Sequence, residues 1–357
     1  MKTFLAIIFS FTSLILASQD NPFYLSVTPQ YGVMARHRTS MRYIIRENAQ
    51  VLEISLSRKV SGNKIWHAVH KNPYLGGGFY LADLGNPEIM GKAIAVYGFI
   101  KKPIFERKKI SISYQVSTGV SYLTTPFDAK ENYLNHAIGS SLNVYFFLGY
   151  DFRHKLTERF YLNHGIGFTH YSNGAWSKPN LGFNVIGLYT GVFYKLQNIE
   201  EKTIQTEIPE FNKSNEWDIY SSVGINEFSD GETRKYFVSS SSIDYLRHRS
   251  FKRKIGLGLD FFYSEALDNL NTSENEPKKI DRLRIGLHVS YEVVFGDAVF
   301  FANLGYYIHN QYPMYGGDLY DKVGLKWFVY KRLYAGLALK THFAKAEFIE
   351  WGIGIGF

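Results

Sequence analysis

Apolar and polar residues alternate along most of this chain, in runs of about ten residues separated by polar turns, as in a sheet whose two faces meet different solvents. Side chains i and i+2 share a face. On that basis the alternation predicts strands at 24–34, 50–58, 75–83, 92–101, 109–122, 138–152, 158–170 and 183–196. A second series follows at 217–228, 235–246, 254–264, 283–294, 298–309, 321–331, 333–343 and 347–357. The total is even, which puts both ends of a barrel chain on its periplasmic side. Connection lengths agree, since "RHKLTER", "FGD" and "YKR" are short turns on that side, while "EALDNLNTSENEPKKID" is a long polar loop on the other. One connection departs from the rule. Residues 197–216, "QNIEEKTIQTEIPEFNKSNE", are long and polar yet fall on the short-turn side, and they divide the strands into two equal sets. The expected fold is all-β, an antiparallel transmembrane β-barrel of the outer-membrane type with about 16 strands. The alternative is an eight-stranded barrel plus a second eight-stranded unit.

The two ends of the chain carry addresses. Residues 1–18, "MKTFLAIIFSFTSLILAS", combine one Lys, an apolar stretch from Phe4 to Leu16 and small residues at Ala17 and Ser18, which is the make-up of a secretory signal peptide. At the other end, in "IEWGIGIGF", Ile349, Trp351, Ile353, Ile355 and Phe357 alternate with Gly and Glu. That ending is similar to the terminal signal by which the outer-membrane assembly machinery takes up barrel proteins. The organisation expected is a signal peptide at 1–18, a first barrel half at 19–196, a polar connector at 197–216 and a C-terminal β half at 217–357, in the outer membrane of a Gram-negative bacterium.

Composition narrows the chemistry. With no cysteine there is neither a disulfide framework nor a thiol nucleophile. The net charge of +8 is dispersed and no nucleic-acid motif accompanies it, so anionic lipid headgroups are the partner it suits. The glycine-rich stretches "YLGGGF", "GLGLD" and "GIGIGF" match no phosphate loop and read as strand bends.

One stretch stands apart, "GFTHYSNGAWSKPNLGFN" at 167–184. Along strand 158–170 and its continuation, the even positions Phe160, Leu162, Ile166 and Phe168 are apolar and should face lipid, and His170 and Ser172 extend that row. On the next strand Asn184 heads the row Ile186, Leu188, Val192. If the two strands pair, His170, Ser172 and Asn184 converge outside the barrel, and polar groups on a lipid face are costly unless they act. Ser172 would attack an ester carbonyl, His170 would serve as general base and then acid, and Asn184 would hold the imidazole tautomer. Asn173 and Asn180 are candidate oxyanion donors. The bland alternative is a chance His-x-Ser followed by an ordinary Asn/Gly/Pro turn.

This stretch resembles the signature of the lipid A deacylases, outer-membrane serine esterases that remove acyl chains from lipid A. The family pattern, His-x-Ser-Asn, then Asn-x-Gly and an acidic residue, is met by His170, Ser172, Asn173, Asn180 and Gly182. The resemblance takes in residues 22–196, including "SVTPQYG", "DLGNPE" and "PFD", and the whole chain resembles the longer acyloxyacyl hydrolases. It departs at Asn184, where the deacylases carry Glu. Outer-membrane phospholipase A also pairs His-x-Ser with an Asn, but its calcium-binding positions are Ala175 and Asn180 here, so no calcium site, metal or cofactor is expected. The resemblance implies lipid A or another outer-leaflet lipid as substrate. Arg36, Arg38 and Arg42, in the loop after the first strand, are candidates to grip its phosphates. A phospholipase and a non-catalytic barrel, such as a pore, are the competing readings. His67 and His70 in "IWHAVH" lack a third ligand and read as a turn, and Glu350 reads as lumen-facing.

Overall fold

The computed structural model describes residues 21–36, 39–271, 278–313, 317–343 and 345–357, so the signal-peptide expectation at 1–18 lies outside it. Every strand that the alternation predicts is present. Strands β1 (Phe23–Met34), β2 (Ala49–Lys59), β3 (Tyr74–Asp83), β4 (Lys92–Glu106), β5 (Ile110–Leu123), β6 (Leu142–Lys155), β7 (Phe160–Ser172) and β8 (Phe183–Lys195) form one closed antiparallel barrel. β9 (Asn215–Asn226), β10 (Tyr236–Ser250), β11 (Arg253–Ser264), β12 (Leu283–Phe295), β13 (Ala298–Asn310), β14 (Leu319–Tyr330), β15 (Leu333–His342) and β16 (Lys345–Gly356) form a second. Of the two closures left open by the sequence, the chain takes the pair of eight-stranded barrels. β8 returns to β1, with Val27 opposite Val192, and β16 returns to β9, with Ile349 opposite Ile225.

The period-2 pattern sorts side chains as expected. Outward positions such as Ile54, Phe79, Ile166 and Leu188 are exposed and apolar, while inward Glu53, Lys101, Asp151 and Arg153 are buried. Buried charges are tolerable only when paired. In the first lumen Lys101 meets Asp151 at 2.6 Å, and the Tyr189 hydroxyl donates to the same carboxylate at 2.7 Å. In the second, Lys326 bridges Glu292 at 2.6 Å and Asp218 at 3.1 Å, and Glu347 collects Arg284, Lys340 and His342. Glu350 is lumen-facing and accepts from the Ser240 hydroxyl at 2.5 Å. An eight-stranded barrel is just wide enough for side chains to fill. Both lumens here are filled by charged and aromatic groups, unlike the water-filled interior a sixteen-stranded pore would have.

The two barrels stand side by side and touch at both ends. At the end where the chain termini and short turns lie, a single helical turn, α1 (Ile65–Val69), joins β2 to β3, where a plain turn was expected. His70, which caps it, donates from Nε2 to the Val294 carbonyl at 2.7 Å and stacks on Phe295 with ring centroids 4.1 Å apart. The connector is anchored there too: Glu201 takes the Tyr24 hydroxyl and lies 3.3 Å from the Lys59 ammonium, and the Ile204 N–H donates to the Ser61 carbonyl at 2.8 Å.

Two outcomes follow from these contacts. Phe357 exchanges two backbone hydrogen bonds with Trp217, each 2.8 Å, at the seam that closes the second barrel. Deleting Phe357 should lower the inserted, heat-modifiable fraction on gels; normal insertion would count against that seam as the point of closure. Burial, then the nearby cations Lys102, Lys252 and Arg253, push the His70 imidazole down to about 4 despite its bond to Val294. An unfolded His titrates near 6.5. The folded state therefore binds fewer protons between those values, so the stability gained by burying the neutral ring is fully present above about 6.5 and is lost as pH falls toward about 4. The urea midpoint should fall less between neutral pH and pH ~4.5 in His70→Phe, which keeps the ring stack, than in the parent.

Candidate active site

The register of β7 and β8 places His170 directly opposite Asn184, while Ser172 stands two residues along on the same outward row as His170. Below them the row is exposed and apolar, through Phe168 and Ile166 on β7 and Ile186 and Leu188 on β8. One polar pair interrupts these rows midway, His164 Nδ1 and Thr190 Oγ1 at 2.9 Å, and the surface turns polar again at its loop end. His170 Nδ1 donates to Asn184 Oδ1 at 2.6 Å. That bond selects the tautomer in which Nε2 carries the lone pair. Gly182 makes room for the ring: its φ is 81°, and a Cβ there would lie 2.8 Å from His170 Cε1.

Ser172 faces outward yet is only 7% exposed, because residues 173–182 fold back over it. Two donors converge on its hydroxyl oxygen, the Asn180 side-chain amide at 3.0 Å and the Gly174 backbone N–H at 3.2 Å. Gly174 and Ala175 both have φ of 65°, the turn that directs the first N–H back at the serine. Asn173 acts at one remove. Its backbone N–H donates to Asn180 Oδ1 at 3.1 Å, and its side chain donates to Ser140 Oγ at 2.9 Å, so it orients the Asn180 amide and ties the loop to the β5–β6 connection. The same connection receives the Gly182 N–H at the Ala137 carbonyl, 2.9 Å, which is why β6 begins at Leu142 and not at the expected 138.

Five of the expected site residues, His170, Ser172, Asn173, Asn180 and Asn184, are thus brought together by one hairpin. The arginines are separate. The Ala35 N–H donates to the Asn184 carbonyl at 2.7 Å, so exposed Arg36 follows immediately after a residue bonded to the site. Arg42 is exposed in a 3₁₀ turn at Thr39–Tyr43, and Arg38 lies outside the described residues. Gly174 was missed in the sequence, where "SNG" reads as a common turn; only its positive φ and its bond to Ser172 single it out. Gly174 also abuts Ile349 of the second barrel, where a Cβ would collide.

Gly182→Ala should cost about 1–2 kcal/mol, since a non-glycine residue is disfavoured in left-handed backbone, and should push the His170 ring away from Asn184. Loss of the hydrogen-bonded Nδ1 proton signal in NMR of the imidazole would show this; an unchanged signal would mean the hairpin absorbs the extra methyl.

Residues 50–193 match the family model described as Lipid A 3-O-deacylase (PagL), and residues 215–357 match that described as Acyloxyacyl hydrolase, C-terminal domain. No curated protein matches the sequence. Among solved structures, the outer membrane enzyme PagL is similar at 14% identity and a TM-score of 0.31, over 46% of this chain and 97% of that one. Neisserial surface protein A is similar at 10% identity and a TM-score of 0.33, over 49% of this chain and 97% of its own. A porin of Rhodopseudomonas blastica is similar at 9% identity and a TM-score of 0.18, over 94% of this chain and 100% of its own. The barrel fold and the family models together imply an outer-membrane location. With one model on each barrel, the chain belongs to the lipid A deacylase-like family of outer-membrane acyl hydrolases, in its long form with an acyloxyacyl hydrolase C-terminal domain.

Proposed function

We propose that this protein is a serine esterase that hydrolyses ester-linked acyl chains of lipid A from the lipid-facing side of its first barrel. Family membership implies an ester hydrolase. The observation that carries the finer reading is the 2.6 Å bond from His170 Nδ1 to Asn184 Oδ1 on the same outward surface as Ser172. In this mechanism His170 Nε2 takes the Ser172 proton as Oγ bonds to the acyl carbon, and the carbonyl electron pair moves onto oxygen. The oxyanion is met by the Asn180 amide and the Gly174 N–H, with Asn173 holding the Asn180 amide in place. Collapse expels the sugar alkoxide, which takes the proton back from His170. Water then enters by the same route, reversing the steps to free the fatty acid and Ser172.

The outward placement suits a substrate that never leaves the bilayer, because its acyl chain lies along the apolar row below Ser172. Arg36, next to the strand end bonded to Asn184, is placed to meet a lipid A phosphate, and Arg38 and Arg42 belong to the same loop. Export by the signal peptide at 1–18, followed by insertion through the assembly machinery with the site in the outer leaflet, completes the proposal.

Ser172→Ala should insert normally and lose ester hydrolysis, since one hydroxyl at a strand end removes no packing. Asn184→Ala should lose about 10²-fold in rate, the scale of a misoriented general base, while Asn184→Glu, which restores the acidic residue of the family pattern, should keep a working enzyme. Mass spectrometry of lipid A and phospholipids from cells with parent or variant protein reads both. Acyl loss from lipid A only in the parent is the expected result. Loss from phospholipids instead would make the chain a phospholipase, and loss from neither would remove the esterase assignment.

A further inference from the structure

The second barrel carries none of the residues assigned to acyl transfer, yet its first outer loop is bonded to the loop that covers Ser172. Glu227, immediately after β9, is 4% exposed. One of its carboxylate oxygens accepts from the Lys178 backbone N–H at 2.5 Å, and the other takes the Lys235 ammonium. Its own backbone N–H donates to the Ala175 carbonyl at 3.0 Å. Lys235 also donates to the Trp176 carbonyl at 2.5 Å, and Lys178 Nζ returns a bond to the Phe228 carbonyl at 2.6 Å. Residues 175, 176 and 178 are therefore gripped from the second barrel. From the first barrel, the Ser177 hydroxyl donates to the Gly139 carbonyl at 2.9 Å and Trp176 Nε1 to Ser140 Oγ at 3.2 Å.

We propose that Glu227, paired with Lys235, is a positioning residue of the second barrel that braces the 173–182 loop so that Asn180 and Gly174 stay aimed at Ser172. The physical case is that the 173–182 loop is clamped between two supports, Gly139 and Ser140 of the first barrel and Glu227 and Lys235 of the second, so that loosening either one lets its donors drift. A buried carboxylate that accepts a backbone N–H forms a strong, directional, charge-assisted bond, and it persists in a dry environment only because Lys235 compensates its charge. Asn180, which donates to Ser172, is two residues beyond Lys178, so a shift at Lys178 is delivered almost directly to the proposed oxyanion donor. The acyloxyacyl hydrolase C-terminal domain thereby has a role in the reaction without touching the substrate. The inference rests on the esterase reading for its kinetic consequence, though not for the brace itself.

The test uses the full-length protein in lipid vesicles. In Glu227→Ala, kcat for acyl release should fall about 10- to 100-fold, the scale of an ångström-level misplacement, with KM nearly unchanged. Labelling of Ser172 by a fluorophosphonate should slow in parallel, and amide hydrogen exchange across 174–180 should speed up. Glu227→Gln should recover part of the rate, because its amide oxygen still accepts from Lys178. Lys235→Met should give a milder form of the same defect, and it stands in should Glu227→Ala not insert. Parent-like kcat together with parent-like exchange in Glu227→Ala would overturn the brace. If Ser172→Ala is itself still active, the esterase reading fails separately, and the exchange at 174–180 decides the brace alone: unchanged exchange sinks it.

Discussion

Everything in this molecule depends on the closure of each sheet upon itself. A membrane offers no water to an unpaired strand edge, so β1 must find β8 and β9 must find β16. With eight strands the closed cylinder leaves room for side chains and nothing else. Its inward rows then satisfy one another, as Lys101, Asp151 and Tyr189 do in the first barrel and Lys326, Asp218 and Glu292 in the second. A lumen packed in that way has no space for a substrate. The proposed chemistry is accordingly on the outer surface, at the loop end of the outward row that carries His170 and Ser172.

The sequence made much of this legible because a two-residue period reports the face directly. The parity that sets Phe168 outward also sets His170 and Ser172 outward, and the register across a single hairpin brings Asn184 to His170. Closure was a different matter. Whether β8 pairs with β1 or with β9 depends on contacts nearly the whole barrel apart in sequence, and alternation is identical in both cases. Only the length of the 197–216 connector hinted at the division, and it turns out to be tied to the first barrel by Glu201 and Ile204. Burial at the site was equally hidden. By pattern, Ser172 should be as exposed as Ile166; it is covered by a loop whose own supports, Ser140 and Glu227, are 33 and 49 residues away from the positions they bond.

Asn184 shows how that enclosure and the departure from the family pattern fit together. A group that orients an imidazole need only accept one hydrogen bond, and an amide oxygen at 2.6 Å does so. A carboxylate in the same place would bring a full charge to a half-buried strand end that faces lipid, where its desolvation must be offset by the imidazolium it stabilises. On the proposed reading, a neutral amide at Asn184 avoids that cost and gives up charge stabilisation of a protonated imidazole. Meanwhile the carboxylate at hand, Glu227, is spent on the loop backbone, with Lys235 as its counter-ion. Charge is thus absent from the proposed lipid-facing triad and present in the joint between the barrels, where Glu227 binds the loop backbone. On the proposed reading, precision is supplied by the second barrel and proton transfer by the first.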